Sequence, residues 1–441
     1  MADKSGVGTL VNELHELATD SLDLFTFPSV EQAQISGRTQ TYYLHGTLTD
    51  TGPFEFHMPN ESNEYTKLDS IRLYGEVEVV KADNTALTAG ELVSVVNNFP
   101  QTLFRQVECT LNNVCVNDLS TNTYAYKAFL ENHLSYGNDM KKTTLRSREM
   151  YYKDAEGTLA EQFANADSGV AKRKLEITGK TVRFDMPLHI DFLHTNRYLI
   201  PGVEMKIKLQ VNDTNFCLLT EAVGPKIKFK ALELTARKII VDPAVSASIE
   251  SALNSKQACY PVAHSKIKTH LLNSGTQSHN LSQVFRGKLP RSFIIGMVSS
   301  KAFDGAHNAN GFKFEHFDLK QLQVFVDGEP IHPKAMEPEW EDNKMIKQYS
   351  WFLDNIGLHN KDTVGITLED FKSHSCFFPY DLSPDLCNAY YSHGTKQGTI
   401  DVYLSFKAPL KENVTVLFYA TFDEAVTIDK LRNVTVISSS S

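Results

Sequence analysis

The amino-acid sequence predicts an all-β protein made of two tandem eight-stranded jelly rolls with short accessory helices. Two observations support this fold class. Apolar residues alternate with polar ones along many segments, as a strand with one buried face requires. The same order of predicted elements also occurs twice along the 441 residues, which indicates two copies of one β-fold. Each copy has about eight strands, the number found in a jelly roll, and Greek-key sandwiches of seven or nine strands are the nearest alternatives.

The strands are predicted from their two-residue period. Apolar and polar residues alternate without interruption at 203–211, and they do so again at 399–406. In the long segment 226–241 the alternation shifts by one residue between Ala231 and Leu232, which predicts a β-bulge or a bend of the strand. Helical spacing is limited to short segments, at 10–22, 124–134, 244–253 and 346–356.

The repeated order has the same landmarks in both halves. In each half a strand leads through a two-residue turn and a short return strand to one helix. The first half has its turn at 112–113 and its helix at 124–134, and the second half has them at 327–328 and 346–356. The second turn is Asp-Gly, which is among the strongest hairpin signals in a sequence. After the helix come further strands, predicted at 182–191, 203–211 and 226–241 in the first half and at 376–384, 399–406 and 413–428 in the second half.

The repeat also sets the expected domain limits. We expect an N-terminal arm at 1–29, a first jelly roll at 30–243 and a second jelly roll at 259–437, joined by a linker helix at 244–258. The arm is acidic, and its apolar residues at helical spacing predict a short amphipathic helix at 10–22 that docks on protein.

Composition excludes several classes of protein. Hydrophobic residues make up 41% and charged residues 22% of the chain, which is typical of a packed globular protein. The net charge of −9 argues against tight, sequence-independent DNA binding, because such binding needs many Lys and Arg side chains facing phosphates. No apolar run is long enough to predict a membrane span, and the N-terminus does not resemble a secretory signal. The six cysteines show no C-x-x-C spacing and are expected to be reduced, buried thiols.

No group of residues predicts a catalytic, cofactor-binding or metal site. The segment 178–181 resembles the end of a phosphate-binding loop, but it lacks the first glycine and leads into a strand. His189 and His194 lie near acidic residues, and we expect them to be surface or hydrogen-bonded histidines rather than metal ligands. His264 and His270 share a face of a predicted strand but would be roughly 20 Å apart. The protein is therefore not expected to be an enzyme.

Two charged segments have alternative interpretations. Acidic residues surround Trp340, and a solvated loop is preferred there over a carboxylate pair for glycoside chemistry (Glu337, Glu339, Glu341 and Asp342). The polar insertion 136–174 holds eight basic residues. Arg173 and its lysine neighbours would suit a nuclear-import or nucleic-acid patch, but a long exposed loop is the preferred interpretation.

Two longer blocks resemble a known family. The segments 104–118 and 122–137 resemble major capsid proteins of the Polinton (Maverick) and adintovirus group, and the segments 184–191 and 198–205 fit the same group. The resemblance implies a double jelly roll and a homotrimer whose six jelly rolls form a pseudo-hexagonal capsomer of an icosahedral shell. It implies neighbouring capsomers, penton proteins and minor capsid proteins as partners, and no catalytic residues or cofactor. It also implies a location in the virion, after synthesis in the host cytoplasm and assembly there or in the nucleus.

Two other functions remain as alternatives. A double-jelly-roll carbohydrate-active enzyme or lectin has a similar strand count, but the chain holds only two tryptophans and lacks a suitable carboxylate pair. A cellular protein descended from a transposon capsid would share the fold without assembling, and only particle formation separates it from a working capsid protein.

Overall fold

The computed structural model describes residues 33–59, 63–119, 122–220, 224–341, 344–356, 364–383 and 396–437. The first half of the described chain contains ten strands: β1 (Gln34–Tyr43), β2 (Phe54–Met58), β3 (Glu64–Val80), β4 (Val93–Val95), β5 (Phe104–Leu111), β6 (Val114–Cys115), β7 (Thr181–Pro187), β8 (Met205–Val211), β9 (Leu218–Thr220) and β10 (Lys226–Val241). The second half contains nine: β11 (Ala258–Leu272), β12 (Ser278–Lys288), β13 (Ser292–Ser299), β14 (Leu319–Val326), β15 (Glu329–Pro330), β16 (Phe377–Asp381), β17 (Gln397–Phe406), β18 (Val414–Ile428) and β19 (Val434–Ile437).

The helices are short and lie between the strands. The described α-helices are Phe99–Thr102, Tyr124–Ser135, Asn138–Met140, Arg146–Glu149, Leu159–Ala164, Gly169–Ile177, Thr214–Cys217, Pro243–Ala252, Ser300–Phe303, Ile346–Asn355 and Leu368–Ser373. A π-helical segment at Lys141–Leu145 and a 3₁₀ helix at Asp191–His194 complete the set.

Both halves have the same sheet topology. The first half forms antiparallel sheets in the orders β1-β10-β3-β7 and β2-β8-β5-β6, and the second forms β11-β18-β13-β16 and β12-β17-β14-β15. If β4, β9 and β19 are left out, each half has eight main strands, which can be lettered B to I in chain order. In these letters the two sheets of each half have the strand orders B-I-D-G and C-H-E-F. This is the two-sheet arrangement of a jelly roll. The predicted fold class, two tandem jelly rolls, is confirmed. Outside the main strands, β19 pairs with β18, and β4 pairs with β9.

Several local predictions are also confirmed. Both hairpins form, and the helices that follow them span Tyr124–Ser135 and Ile346–Asn355. The pairing of β10 with β3 shifts register between Phe229 and Ala231, close to the predicted bulge. The linker helix is shorter than predicted: it spans Pro243–Ala252 and begins where the Asp242 side chain accepts a hydrogen bond from the Ala244 amide. The predicted helix at 10–22 lies outside the described residues.

The insertion 136–174 is not the exposed loop that the sequence predicted. It contains helical segments, and several of its polar side chains are buried and paired. The Arg173 guanidinium is fully buried, donating from Nε to the Val95 carbonyl at 2.7 Å and from Nη2 to Asp154 at 2.7 Å. The buried Glu149 carboxylate accepts hydrogen bonds from Gln101 and Asn132 at 3.0 and 2.8 Å. Arg173 is therefore unavailable to a nucleic acid or an import receptor.

The cysteine predictions are only partly correct. Thr110 faces Cys115 across the hairpin, as predicted, and the five described cysteines are free. Cys109, Cys217 and Cys376 are buried and Cys115 is partly buried, but Cys259 is exposed, contrary to expectation. Cys387 lies outside the described residues.

The core of the second roll extends into the first half of the chain. Besides its own strands, this core includes buried residues of helix Tyr124–Ser135. Phe129 of that helix stacks on Phe312 with ring centroids 4.3 Å apart, and Tyr126 packs edge-on against Phe314. The first roll thus contributes a helix to the hydrophobic core of the second, which couples their packing.

Candidate functional site: the contact between the two rolls

The contact between the two rolls is centred on a largely buried polar cluster. We call Lys127, Glu131, His189, Asp191, Ser265 and Tyr419 the inter-roll cluster. Lys127 and Glu131 lie four residues apart and so occupy one face of helix Tyr124–Ser135. Asp191 opens the 3₁₀ helix after β7. Ser265 and Tyr419 come from β11 and β18, so the cluster joins both rolls.

Asp191 is the central acceptor of the cluster. Its Oδ1 accepts a hydrogen bond from Lys127 Nζ at 2.5 Å. From the second roll, the Ser265 amide donates to Asp191 Oδ2 at 2.9 Å and the Ser265 hydroxyl donates to Oδ1 at 3.0 Å. One carboxylate therefore ties a lysine of the first roll to the backbone of the second.

Glu131 makes a second link across the contact. Its Oε1 accepts a hydrogen bond from the Tyr419 hydroxyl at 3.0 Å, and its Oε2 lies 2.5 Å from His189 Nδ1. The Tyr419 hydroxyl is also 3.0 Å from the Ser265 hydroxyl, which closes the network.

The charges of the cluster are set by burial and by pairing. Burial lowers the pKa of Lys127, but the charges of Asp191 and Glu131 outweigh it and hold that pKa above its ordinary value. Burial raises the pKa of Glu131, but Lys127 and His189 outweigh it, so this pKa lies well below its ordinary value. The lysine and the glutamate are both ionised and compensated. Such a site suits fixing the orientation of the two rolls rather than performing chemistry.

A second group of contacts ties the insertion to the second roll. Asp154, which holds Arg173, also accepts a hydrogen bond from Asn310 at 2.9 Å. Lys153 pairs with Asp370 at 2.7 Å. Lys141 donates to the Val364 carbonyl at 2.5 Å, and burial lowers the pKa of this lysine to about 7. The insertion therefore acts as a structural bridge between the rolls.

A cavity of about 220 Å³ lies beside this bridge. Its lining mixes aromatic side chains, such as Phe129 and Phe312, with polar ones, such as His133 and His374. His133 Nδ1 lies 2.6 Å from the Tyr151 hydroxyl and its Nε2 lies 3.0 Å from the Ser375 hydroxyl, so its ring is held by both rolls.

Three of the histidines singled out in the sequence lie at or beside this contact. His189 and His194 have ring centroids 6.1 Å apart, and His264 Nδ1 lies 3.5 Å from Asp191. His189 is buried and hydrogen-bonded to Glu131, which agrees with the expectation of a hydrogen-bonded histidine rather than a metal ligand. Within the described ranges, no group of three His, Cys, Asp or Glu side chains is arranged to hold a metal ion.

The other sequence candidates lie apart from this contact. Residues 178–181 lead into β7, as expected. The side chains of Glu337, Glu339 and Glu341 are exposed, as the solvated-loop interpretation predicted, whereas Trp340 is buried and donates to the Leu319 carbonyl at 2.8 Å. Asp342 lies outside the described residues. None of the described helices is long and apolar enough to cross a membrane.

Comparison with known sequences gives a distant relative that matches nearly the full length of the chain. No protein-family model matches the chain. The chain is 24% identical over 422 residues to an uncharacterized protein of Caenorhabditis elegans, and the match covers 92% of this chain and 98% of that protein.

Several solved structures share the double jelly roll. The structure of the Sputnik virophage matches with a TM-score of 0.61 and 9% identity, covering 95% of this chain and 92% of that chain. The PBCV-1 virus capsid matches with a TM-score of 0.58 and 10% identity, covering 93% and 98%. The mavirus major capsid protein matches with a TM-score of 0.52 and 10% identity, covering 95% of both chains. The chain therefore has the fold of double jelly-roll capsid proteins over nearly its whole length.

Proposed function

We propose that this chain is a major capsid protein that trimerises into pseudo-hexagonal capsomers and tiles an icosahedral viral shell. The observation that carries the proposal is the pair of complete jelly rolls held in one orientation by the inter-roll cluster. Capsid proteins with the same two-roll arrangement match the chain almost from end to end. A carbohydrate-active enzyme or lectin is not favoured, because none of these matches is such a protein.

A shell subunit needs two properties that this arrangement provides. Two similar rolls in one chain, repeated around a threefold axis, give six similar positions and so approximate a hexagon. The rolls must also keep one relative orientation, because a hinge between them would spoil the tiling. The inter-roll cluster and the bridge formed by the insertion supply that rigidity.

The finer assignments belong to the same proposal. The rolls extend over residues 30–243 and 259–437, and the protein belongs to the Polinton and adintovirus group, as the segments 104–118 and 122–137 suggest. Its partners are its own copies, neighbouring capsomers, and penton and minor capsid proteins, and it resides in the virion. It has no enzymatic activity and does not bind duplex DNA tightly, so a separate basic protein condenses the genome.

A second candidate is a genome-borne copy that no longer assembles. The relative in Caenorhabditis elegans favours this candidate, because that protein comes from an animal and matches along nearly its whole length. The two candidates differ in whether the protein forms particles.

Native mass spectrometry and electron microscopy of the full chain test both candidates. A capsid protein should give about three times the chain mass of 49.5 kDa and, at high concentration or with its neighbouring gene products, closed shells. Trimers without shells under all these conditions would favour the non-assembling copy. A persistent monomer at micromolar concentration would contradict the capsid proposal.

A further inference from the structure

The cavity beside the insertion is formed by three separate parts of the chain. Phe129 comes from the helix after the first hairpin, and Tyr151 comes from the insertion. Phe312 comes from the second roll, and all three rings are buried. The cavity volume of about 220 Å³ exceeds the roughly 150 Å³ of an apolar cavity that binds benzene. A planar ring system of two fused rings therefore fits in this space.

Most of the charged side chains on the cavity wall are paired within the protein. The pairs and their N–O distances are Arg173–Asp154 (2.7 Å), Lys153–Asp370 (2.7 Å) and Lys313–Glu315 (2.5 Å). Glu156, also on the wall, is exposed, so water solvates its charge. His133 and His374 are uncharged near neutral pH, because burial holds the pKa of each below its ordinary value. The interior of the cavity thus favours an uncharged ligand.

Two side-chain amides on the wall each have one hydrogen-bonding group without a partner. The Gln162 Oε1 atom is buried and accepts no hydrogen bond from the described part of the chain. The Asn97 side chain belongs to a residue that is only 6% exposed, and its Oδ1 accepts from the Asn98 and Tyr152 amides at 3.0 and 2.8 Å. These two bonds fix the direction of the Asn97 amide, and its NH₂ group has no partner among the described residues.

Unpaired polar groups of this kind are rare in native proteins and need an explanation. Gln162 offers an acceptor and Asn97 offers a donor, both beside buried aromatic rings. A ligand that satisfies both must itself carry a donor and an acceptor.

We propose that the cavity binds a small, uncharged, planar heteroaromatic molecule with both a hydrogen-bond donor and an acceptor, such as a purine base. An amino or N–H group of the ring donates to Gln162 Oε1. A ring nitrogen or a carbonyl oxygen accepts from the Asn97 NH₂ group. The apolar parts of the ring pack against the aromatic side chains of the wall.

A ligand at this position contacts both rolls. The helix and the insertion belong to the first roll, whereas Phe312 and residues 373–375 belong to the second. A molecule that binds only the docked arrangement stabilises it by mass action. The inference does not depend on the proposed self-assembly, because the cavity lies within one chain.

Isothermal titration calorimetry of the full chain with adenine tests the proposal. We expect a Kd on the order of 0.1–1 mM for a ligand of this size. Gln162→Met removes the acceptor, and Asn97→Asp removes the NH₂ donor while it keeps the Oδ1 that holds two backbone amides. Each variant should weaken binding roughly 10-fold, as the loss of one hydrogen bond to a buried group does. Gln277→Met is the matched control at an exposed side chain outside the cavity and should bind like the wild type.

A parallel titration with adenosine identifies the source of the ring. Binding of both compounds supports a nucleoside as the ligand, and binding of adenine alone supports the free base. If the wild type binds neither compound at millimolar concentration, the cavity is a hydration site and the proposal is wrong. Binding that Gln162→Met and Asn97→Asp retain at wild-type strength would place the ligand elsewhere and also overturn it.

A crystal structure of the wild type grown with adenine decides the question if either variant fails to fold by circular dichroism. A ring bonded to Asn97 and Gln162 supports the proposal. Ordered water alone at these two side chains contradicts it. Neither result affects the capsid proposal, which is tested by assembly.

Discussion

Replacing Asp191 with alanine measures how firmly the two rolls are held together. The change removes the acceptor of three hydrogen bonds, at 2.5 Å from Lys127 and at 2.9 and 3.0 Å from Ser265. It leaves the largely buried Lys127 ammonium with Glu131, 3.8 Å away, as its paired carboxylate. Breaking a buried ion pair on one side costs about 3–5 kcal/mol, and because Glu131 remains, we expect a loss of about 3 kcal/mol in the free energy of unfolding.

Urea titration followed by two probes provides the assay. Both tryptophans, Trp340 and Trp351, lie in the second roll, so their fluorescence reports that roll, whereas far-UV circular dichroism reports both. In Asp191→Ala we expect a lower midpoint, and the two transitions should separate because the rolls are less strongly coupled. The control is Asp185→Asn, which alters a pair with Arg72 whose aspartate is 46% exposed and should cost at most about 1 kcal/mol. Equal losses in the two variants would refute the role given to the inter-roll cluster.

Two further perturbations address the same contact. Burial holds the pKa of His133, His264 and His374 below the ordinary value of 6.5, so the folded state disfavours their protonation. Because the unfolded state binds these protons, stability should fall as pH drops from 6.5 to 5, a range below the pKa of about 7 at Lys141, and urea midpoints will show it. An unchanged midpoint at pH 5 would contradict this reasoning. Phe129→Ala removes the ring stacked on Phe312 and should cost about 3–5 kcal/mol. The matched Leu175→Ala, at a side chain that is 66% exposed, should change stability by about 0.5 kcal/mol or less.

Local features of the fold were predictable because they depend on neighbouring residues. The Asp-Gly turn at 327–328 is an example, since both residues have positive φ, 52° and 83°, as a tight hairpin turn requires. The alternating strands and the two helices after the hairpins depend on equally local patterns. The order of these elements then sufficed to predict two jelly rolls.

The candidate site was not predictable, because its residues meet only through the tertiary fold. Asp191 and Ser265 are separated by 74 positions, and Arg173 and its acceptor Val95 by 78. A count of basic residues in the insertion could not show that the Arg173 side chain is buried and donates to the Val95 carbonyl and to Asp154. The one available signal was a local repeat, YKAFLEN at 126–132 and YSWFLDN at 349–355, which places Glu131 and Asp354 at equivalent positions.

The contact within the chain and the proposed contacts between copies should respond differently to salt. Within the chain, Lys127 and Glu131 are buried with their partners, and buried pairs are screened only weakly. Contacts between copies form from surfaces that face solvent in the single chain, and exposed charges are screened more strongly. Raising the salt concentration from about 0.1 M to about 1 M shortens the Debye length from about 10 Å to about 3 Å. Association between copies should therefore weaken over this range while each chain keeps its two rolls docked. Mass photometry measures the association between copies, and tryptophan fluorescence measures the folding of the second roll. Dissociation accompanied by unfolding of the second roll would show that the two contacts are not independent.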